Sequence, residues 1–344
     1  MSQSEPNRSW VVGEDTFKYN YTVYKGIHPT IKGFFAHFNP GLLRRLMRPD
    51  YDIVVIGGMA NPTLWLSPFF VQEHALKIMS IESNLDSSKR NSGIGAWIKY
   101  KLLKTAEVFQ ITGTRQDKYI NHFYKDGGNI PRIVLPNLIE SSLYVEKVAN
   151  LRLNKCLVKK ELNIDTNEKV WILPARLIKI KGILEFISCI KKEDDFHLYV
   201  LGEGELKDSI TSYAKRNELS VTCIGYVSQE VMLKYYSIAD SFVLPSWEDP
   251  SPLSPIEACA SGLPLLVSDR IGNYEDVLSN GDNGYGFDIS DSGSIRLAIE
   301  QMLNLSKEEY HNFSQNSKKR YMSTFSSEKC IREYVMNILE LLNN

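Results

Sequence analysis

Two clusters of residues have the types and spacing to do chemistry on an anionic substrate. The denser is WEDPSPLSPIEACASGLPLLVSD, residues 247–269. It reads as a strand end, a Pro/Ser loop, a helix starting at about Ser254, a stop at Gly262 and another strand. Glu248 and Asp249 then lie beside a helix start whose unpaired N–H groups favour an anion. Glu257 is one helical turn further in, where a carboxylate can accept two hydroxyl hydrogen bonds from a ribose diol. The plainer alternative is that Asp249 and Ser254 cap a helix and Glu257 favours its first turn. The second cluster is PARLIKIKG, residues 174–182. Arg176 and Lys181 follow a buried strand there, at the sheet edge where open α/β folds bind ligands. Arg offers phosphate a planar fork and Lys a point charge. Together they can neutralise a diphosphate and the charge that grows on it as it leaves. A solvated basic turn is the alternative, and Lys179 is assigned to it.

Positioning these loops requires strands, and the sequence supplies two series of them. YDIVVIGG (51–58), ALKIMSIES (75–83), VFQITGT (108–114) and IPRIVLPN (130–137) form the first, separated by helix-length segments such as Trp97–Ala106. KVWILPAR (169–176), FHLYVLGEGE (196–205), VTCIGYV (221–227), SFVLPS (241–246) and LPLLVSD (263–269) form the second. Strands alternating with helices predict parallel sheets built from βαβ units, hence two doubly wound domains. The boundary is expected near 140–165, where Lys-rich sequence interrupts the rhythm. Apolar residues at Ile331, Tyr334, Val335, Ile338, Leu339 and Leu342 predict a final helix over Ser327–Leu342, capped by Ser326. The first fifty residues are less regular: SWVVGEDTFKYNYTVYKG reads as β-rich without a Gly-rich turn, as if the first domain were abbreviated or the chain began late.

Composition sets the class. Of 344 residues, 43% are hydrophobic and 24% charged, with a formal net charge of −1, so no global field draws the chain to nucleic acid. Five cysteines, far apart and without a CxxC pair, are expected to be buried free thiols in a reducing compartment. The start, MSQSEPNRSW, reads as lacking the apolar stretch expected of a secretion signal, and no apolar run approaches the ~20 residues needed to span a bilayer. A cytoplasmic location follows as the expectation. The segment FFAHFNPGLLRRLMRP (34–49) combines Phe34, Phe35, Phe38, Leu42, Leu43, Leu46 and Met47 with Arg44, Arg45 and Arg48. Such a basic amphipathic helix can lie on an anionic membrane face, or simply pack on the N-terminal sheet.

Against this frame, residues 169–290 resemble the donor domain of the large retaining glycosyltransferase family 4. The family's Arg followed by Lys-Gly is matched by Arg176 and Lys181-Gly182. Its Gly-acid-Gly turn is matched by Gly202-Glu203-Gly204. Its Gly-aromatic-Val turn and later Ala-Asp are matched by Gly225-Tyr226-Val227 and Ala239-Asp240. Pro245-Ser246 and the acids Asp249 and Glu257 match the next element, Gly272…Glu275 a Gly-x-x-Glu turn, and Asn283-Gly284 the Asn-Gly after it. Six weak matches in one order make a specific signal. The first acid of the pair is usually Glu and the following residues Gly-rich. Here Asp249 is a methylene shorter, Glu248 precedes it, and Pro250-Ser251-Pro252-Leu253 stiffens the loop.

The resemblance implies an α/β fold of the GT-B type, two Rossmann-like domains facing across a cleft with the N-terminal one abbreviated. It divides the chain into an acceptor-side domain (1–150), a donor-binding domain (151–325) and a C-terminal helix (326–344) packing back toward the first. It also implies transfer of a sugar, with retention, from a nucleotide-diphosphate donor to a glycan or lipid-linked acceptor in surface polysaccharide synthesis. Arg176 and Lys181 would stabilise the leaving diphosphate, which itself takes the acceptor's proton. Asp249 or Glu248 would hold sugar hydroxyls, Glu257 the ribose, and the backbone of Leu253 and Ser254 the phosphate, with Gly204 also on the donor-binding side. The base would lie near Tyr226-Val227. In the first half the likeness is looser. Glu82 ends a strand where the family places a His or Glu facing the sugar, Thr112-Gly113-Thr114 stands at a Ser/Thr loop, and Leu135-Pro136-Asn137 with Glu140 at a hinge turn. His74 is assigned to structure, and structure is also favoured for Asn137. No cofactor or metal is implied; the donor would be a UDP- or dTDP-sugar. The competing reading is a catalytically silent subunit of the same fold that binds a sugar nucleotide or a partner enzyme. A GT-B phosphorylase or a nucleotide-sugar epimerase is the other enzyme reading; no lysine motif for pyridoxal phosphate supports a phosphorylase.

Overall fold

The computed structural model describes residues 19–343, apart from 28–29, 32–33, 36–37, 59–60, 89–90 and 126–128. The second strand series forms a six-stranded parallel sheet from Val170–Pro174, His197–Leu201, Val221–Gly225, Ser241–Leu244, Leu265–Ser268 and Gly284–Phe287. Counted along the chain, their order in space is third, second, first, fourth, fifth, sixth. That order reverses between Val170–Pro174 and Ser241–Leu244, and ligands of doubly wound sheets bind at such a reversal. The strands are apolar runs because both faces are covered. Val170, Ile172, Phe242, Leu244, Leu265 and Val267 enter one core cluster, while Trp171, Leu173, Val243 and Leu266 enter the other.

The first series forms a four-stranded parallel sheet in chain order, from Ile53–Gly57, Leu76–Ile81, Val108–Ile111 and Arg132–Val134. Met79, Ile81, Phe109 and Ile111 pack on one side under the helix Thr114–Phe123. Ile78, Val108 and Ile133 pack on the other, where the final helix Ser327–Asn343 supplies Ile338. Tyr334 on that helix donates its hydroxyl to Gln110 at 2.6 Å.

Several expectations need correction. The helix expected over 34–49 spans Pro40–Leu46 only. Pro40 fixes its start and disfavours helical backbone at Asn39, and Phe34–Phe35 pair with Thr30–Ile31 in a short antiparallel ribbon. The β-rich reading of residues 9–26 falls partly outside the described residues, and 19–26 carry no strand. The predicted stripe of the last helix is split: Ile331, Val335, Leu339 and Leu342 are exposed, while Cys330 and Ile338 are buried. All five cysteines are free, but Cys156 is exposed and Cys223 half-buried, since each lies on a face no other element covers fully. Gly284–Phe287 is a strand that its Gly-rich sequence did not announce.

Candidate active site

The loop after Val170–Pro174 and the loop after Ser241–Leu244 flank the sheet's reversal and bind each other. Trp247 N donates to Ile180 O at 2.9 Å, and Trp247 Nε1 to Glu185 Oε1 at 2.9 Å. Gly182 has φ +63°, and a Cβ there would lie 2.0 Å from the carbonyl oxygen of Pro245. Only glycine permits both that backbone and that approach. The result is an ion pair between Lys181 Nζ and Asp249 Oδ2, with side chains 13% and 17% exposed. Of the two neighbouring acids, Asp249 is therefore the one paired with the predicted cation. Glu248 is half-buried and makes no ion pair among the described residues. Arg176 and Lys179 are exposed at the same loop.

A third loop joins them. Leu177 N donates to Glu203 O at 2.9 Å and Leu206 N to Leu177 O at 3.0 Å, which brings Gly202-Glu203-Gly204 against the Arg176 turn. Glu203 accepts from Tyr226 N at 3.2 Å and from Lys207 Nζ at 3.1 Å. Those bonds, Lys207 first, hold its carboxyl below the ordinary range. Tyr226 is 83% exposed and Val227 half-buried at the rim.

The helix Ser254–Ala260 starts where the Pro/Ser loop predicts and stops before Gly262, which has φ +68°. Leu253 and Ser254 form its first turn, with Glu257 N bonded to Leu253 O at 3.0 Å. Glu257 accepts from Tyr236 Oη at 2.8 Å. Burial raises its pKa, and the hydroxyls of Tyr236 and Tyr144 oppose that shift. Neither tyrosine was singled out from sequence: Tyr236 in LKYYS reads as core, with only the following Ala239-Asp240 as a marker, and Tyr144 in SSLYVEK as part of the segment between the domains. Asp240 is structural, accepting from Val170 N at 2.8 Å and Lys155 Nζ at 2.5 Å. Asn283 is likewise buried in a loop, donating to Val277 O at 3.0 Å.

Loops that follow strands of the N-terminal sheet meet this site. Asn137 donates to Ser251 O and Oγ, each at 3.0 Å. A side chain on Gly272 would collide with the Pro250 carbonyl and the Asn84 amide, so the loop following Glu82 abuts the Asp249 segment. Glu82 is itself exposed, its carbonyl accepting from Gln116 at 3.2 Å. His74 is exposed in the turn before its strand. Thr114 Oγ1 donates to Asp276 at 2.6 Å, and Arg115 bonds Glu275 at 2.8 Å, Asp86 at 3.1 Å and the Asp269 carbonyl at 2.6 Å. Lys118 adds a second cation on Glu275 at 3.0 Å. Among the described residues no group of three or more His, Cys, Asp or Glu is placed to hold a metal ion, and no helix is long and apolar enough to cross a membrane.

Two parallel-sheet Rossmann-like units make this an α/β fold of the GT-B type, which solved structures share. A sucrose-phosphate synthase from Thermosynechococcus elongatus superposes with a TM-score of 0.69 at 18% identity, covering 88% of this chain and 78% of that one. The Anabaena protein HepE, solved with UDP and glucose, gives 0.66 at 14% identity over 88% and 80%. Residues 155–320 match the family model described as glycosyl transferases group 1. Among curated relatives, the N-acetyl-alpha-D-glucosaminyl L-malate synthase of Bacillus anthracis is 23% identical over 59% of this chain and 54% of its own. The alpha-monoglucosyldiacylglycerol synthase of Acholeplasma laidlawii is 29% identical over 38% and 34%. The chain thus spans about half or less of these relatives' length.

Proposed function

We propose that this protein is a retaining glycosyltransferase of family 4 that takes a sugar from a nucleotide-diphosphate donor, a UDP- or dTDP-sugar, and transfers it to a glycan or lipid-linked glycan. The observation that carries the reading is the convergence of the Arg176–Lys181 loop, the Asp249 loop and the Glu257 helix at one sheet reversal. Arg176 and Lys181 hold the diphosphate and stabilise its growing charge, while the backbone of Leu253, Ser254 and Gly204 faces it. Asp249, with Glu248 behind it, orients sugar hydroxyls, and Glu257 takes the ribose. The base lies along Tyr226 and Val227, and Glu82 approaches the sugar from the other sheet. Positioning and electrostatics supply the rate: the leaving diphosphate accepts the acceptor's proton on the face it departs from.

The same reading assigns the protein to surface polysaccharide synthesis in the cytoplasm, working at the inner membrane face. Arg44, Arg45 and Arg48 line a pocket of about 320 Å³ with Thr22 and Tyr24, a basic surface suited to an anionic bilayer. The test is a donor-hydrolysis assay with UDP- and dTDP-sugars, with NMR assignment of the product anomer. Slow release of nucleotide diphosphate, with retained configuration and loss in Lys181→Ala, is expected. Binding without turnover across donors and acceptors would make the chain a silent sugar-nucleotide-binding subunit instead.

A further inference from the structure

Two tyrosines from separate elements face the Glu257 carboxylate. Tyr236, fully buried on the helix Gln229–Ile238, donates to Glu257 Oε2 at 2.8 Å and lies 3.4 Å from the carbonyl oxygen of Ser254. Tyr144 faces the same carboxylate from Ser142–Lys147, a π-helical turn in the segment joining the two sheets. Such turns are rare and occur frequently at functional sites. The two rings meet edge to face, centroids 5.3 Å apart and planes at 81°. Arg152, just beyond the π turn, fastens the elements together by donating to the carbonyls of Tyr236 (3.0 Å), Ser237 (3.1 Å) and Ser261 (2.7 Å).

Among the described residues, the ionisable groups facing Glu257 are these two tyrosines, and no cation does. An ionised carboxylate offers about four lone-pair positions. The Tyr236 hydroxyl takes one of them and Tyr144 borders a second, which leaves two, the number a vicinal diol needs. We propose that Tyr236 and Tyr144 are positioning residues that fix the Glu257 carboxylate for a ribose diol, and so select ribonucleotide donors over deoxyribonucleotide ones. The proposal rests on the reading of Glu257 as the ribose-binding group. It favours a UDP-sugar over a dTDP-sugar, and it ties donor grip to the segment between the halves through Tyr144. The two hydroxyls also favour the charged form of a carboxyl that burial pushes toward its neutral form. Without either one, Glu257 keeps its proton to higher pH.

The test is calorimetric titration of wild type, Glu257→Gln, Tyr236→Phe and Tyr144→Phe with UDP, GDP and ADP and their 2′-deoxy forms, from mildly acid to mildly alkaline pH. Wild type should prefer the ribose form by roughly tenfold or more, and Glu257→Gln should erase the preference. Each Tyr→Phe variant keeps its ring and packing, yet should lose roughly three- to tenfold of the preference, and the pH below which the preference fades should move up. Preference intact in Glu257→Gln, or binding of none of the nucleotides, overturns the ribose reading and this proposal with it. Preference lost in Glu257→Gln but unchanged, with the same pH profile, in both Tyr→Phe variants overturns the positioning role alone.

Discussion

At the scale of residues, Glu257 is held where its own charge is disfavoured. Burial raises its pKa above that of the unfolded chain, so the folded state binds the proton more tightly. Its contribution to stability is then full below the unfolded pKa and is lost as pH rises through the folded one. Glu257→Gln should therefore melt higher than wild type at neutral pH, the gap closing on acidification, while the preference for a ribonucleotide is lost; a thermal melt series against pH, with UDP and its 2′-deoxy form, checks both. Lys181 is the opposite case. Lys181→Met leaves Asp249 half-buried without its cation and should cost about 2 kcal/mol of stability, much of it recovered in the Lys181→Met/Asp249→Asn double variant, read by denaturant unfolding. Residue types at short spacing mark Arg176, Lys181, Asp249 and Glu257 as candidates in the sequence. Their partners are not so marked: Lys181 meets Asp249 across 68 residues and Tyr236 meets Glu257 across 21, distances that only the sheet order closes.

At the scale of elements, the strand ends bring the two active loops together and Gly182 lets them touch. Gly182→Ala must place a Cβ 2.0 Å from the Pro245 oxygen at φ +63°. It should cost at least about 2 kcal/mol and move the Lys181–Asp249 pair, so thermal stability and donor hydrolysis should fall together. Strands buried on both faces were readable because covering both faces demands an uninterrupted apolar run, as in VWILP and SFVL. GYGF was not readable, since glycine is poor in strands and this one is held by its pairing with Leu265–Ser268. The π turn at Ser142–Lys147 was hidden for another reason: its sequence has the composition of an ordinary helix, and its register becomes visible only where Tyr144 meets Tyr236.

At the scale of the whole molecule, the two sheets are clasped by charge. Arg115, with a side chain 13% exposed, reaches Asp86, Glu275 and the Asp269 carbonyl, and Thr114 holds Asp276. Glu275→Lys would set a third cation beside Arg115 and Lys118. It should enlarge the radius of gyration in solution scattering and lower turnover about tenfold while leaving nucleotide affinity within about twofold. Arg115→Glu in the same chain should restore part of the loss. The sequence showed the two sheets but not this clasp, because Thr114 and Glu275 appear only as turn residues until the halves meet. One pyrophosphate should sit between the two loops of the second sheet. An experimental structure with UDP bound tests it most directly. The diphosphate should lie within hydrogen-bond distance of Arg176 and Lys181 with the ribose on Glu257; a nucleotide seated elsewhere, such as the Arg44–Arg48 pocket, would contradict the account.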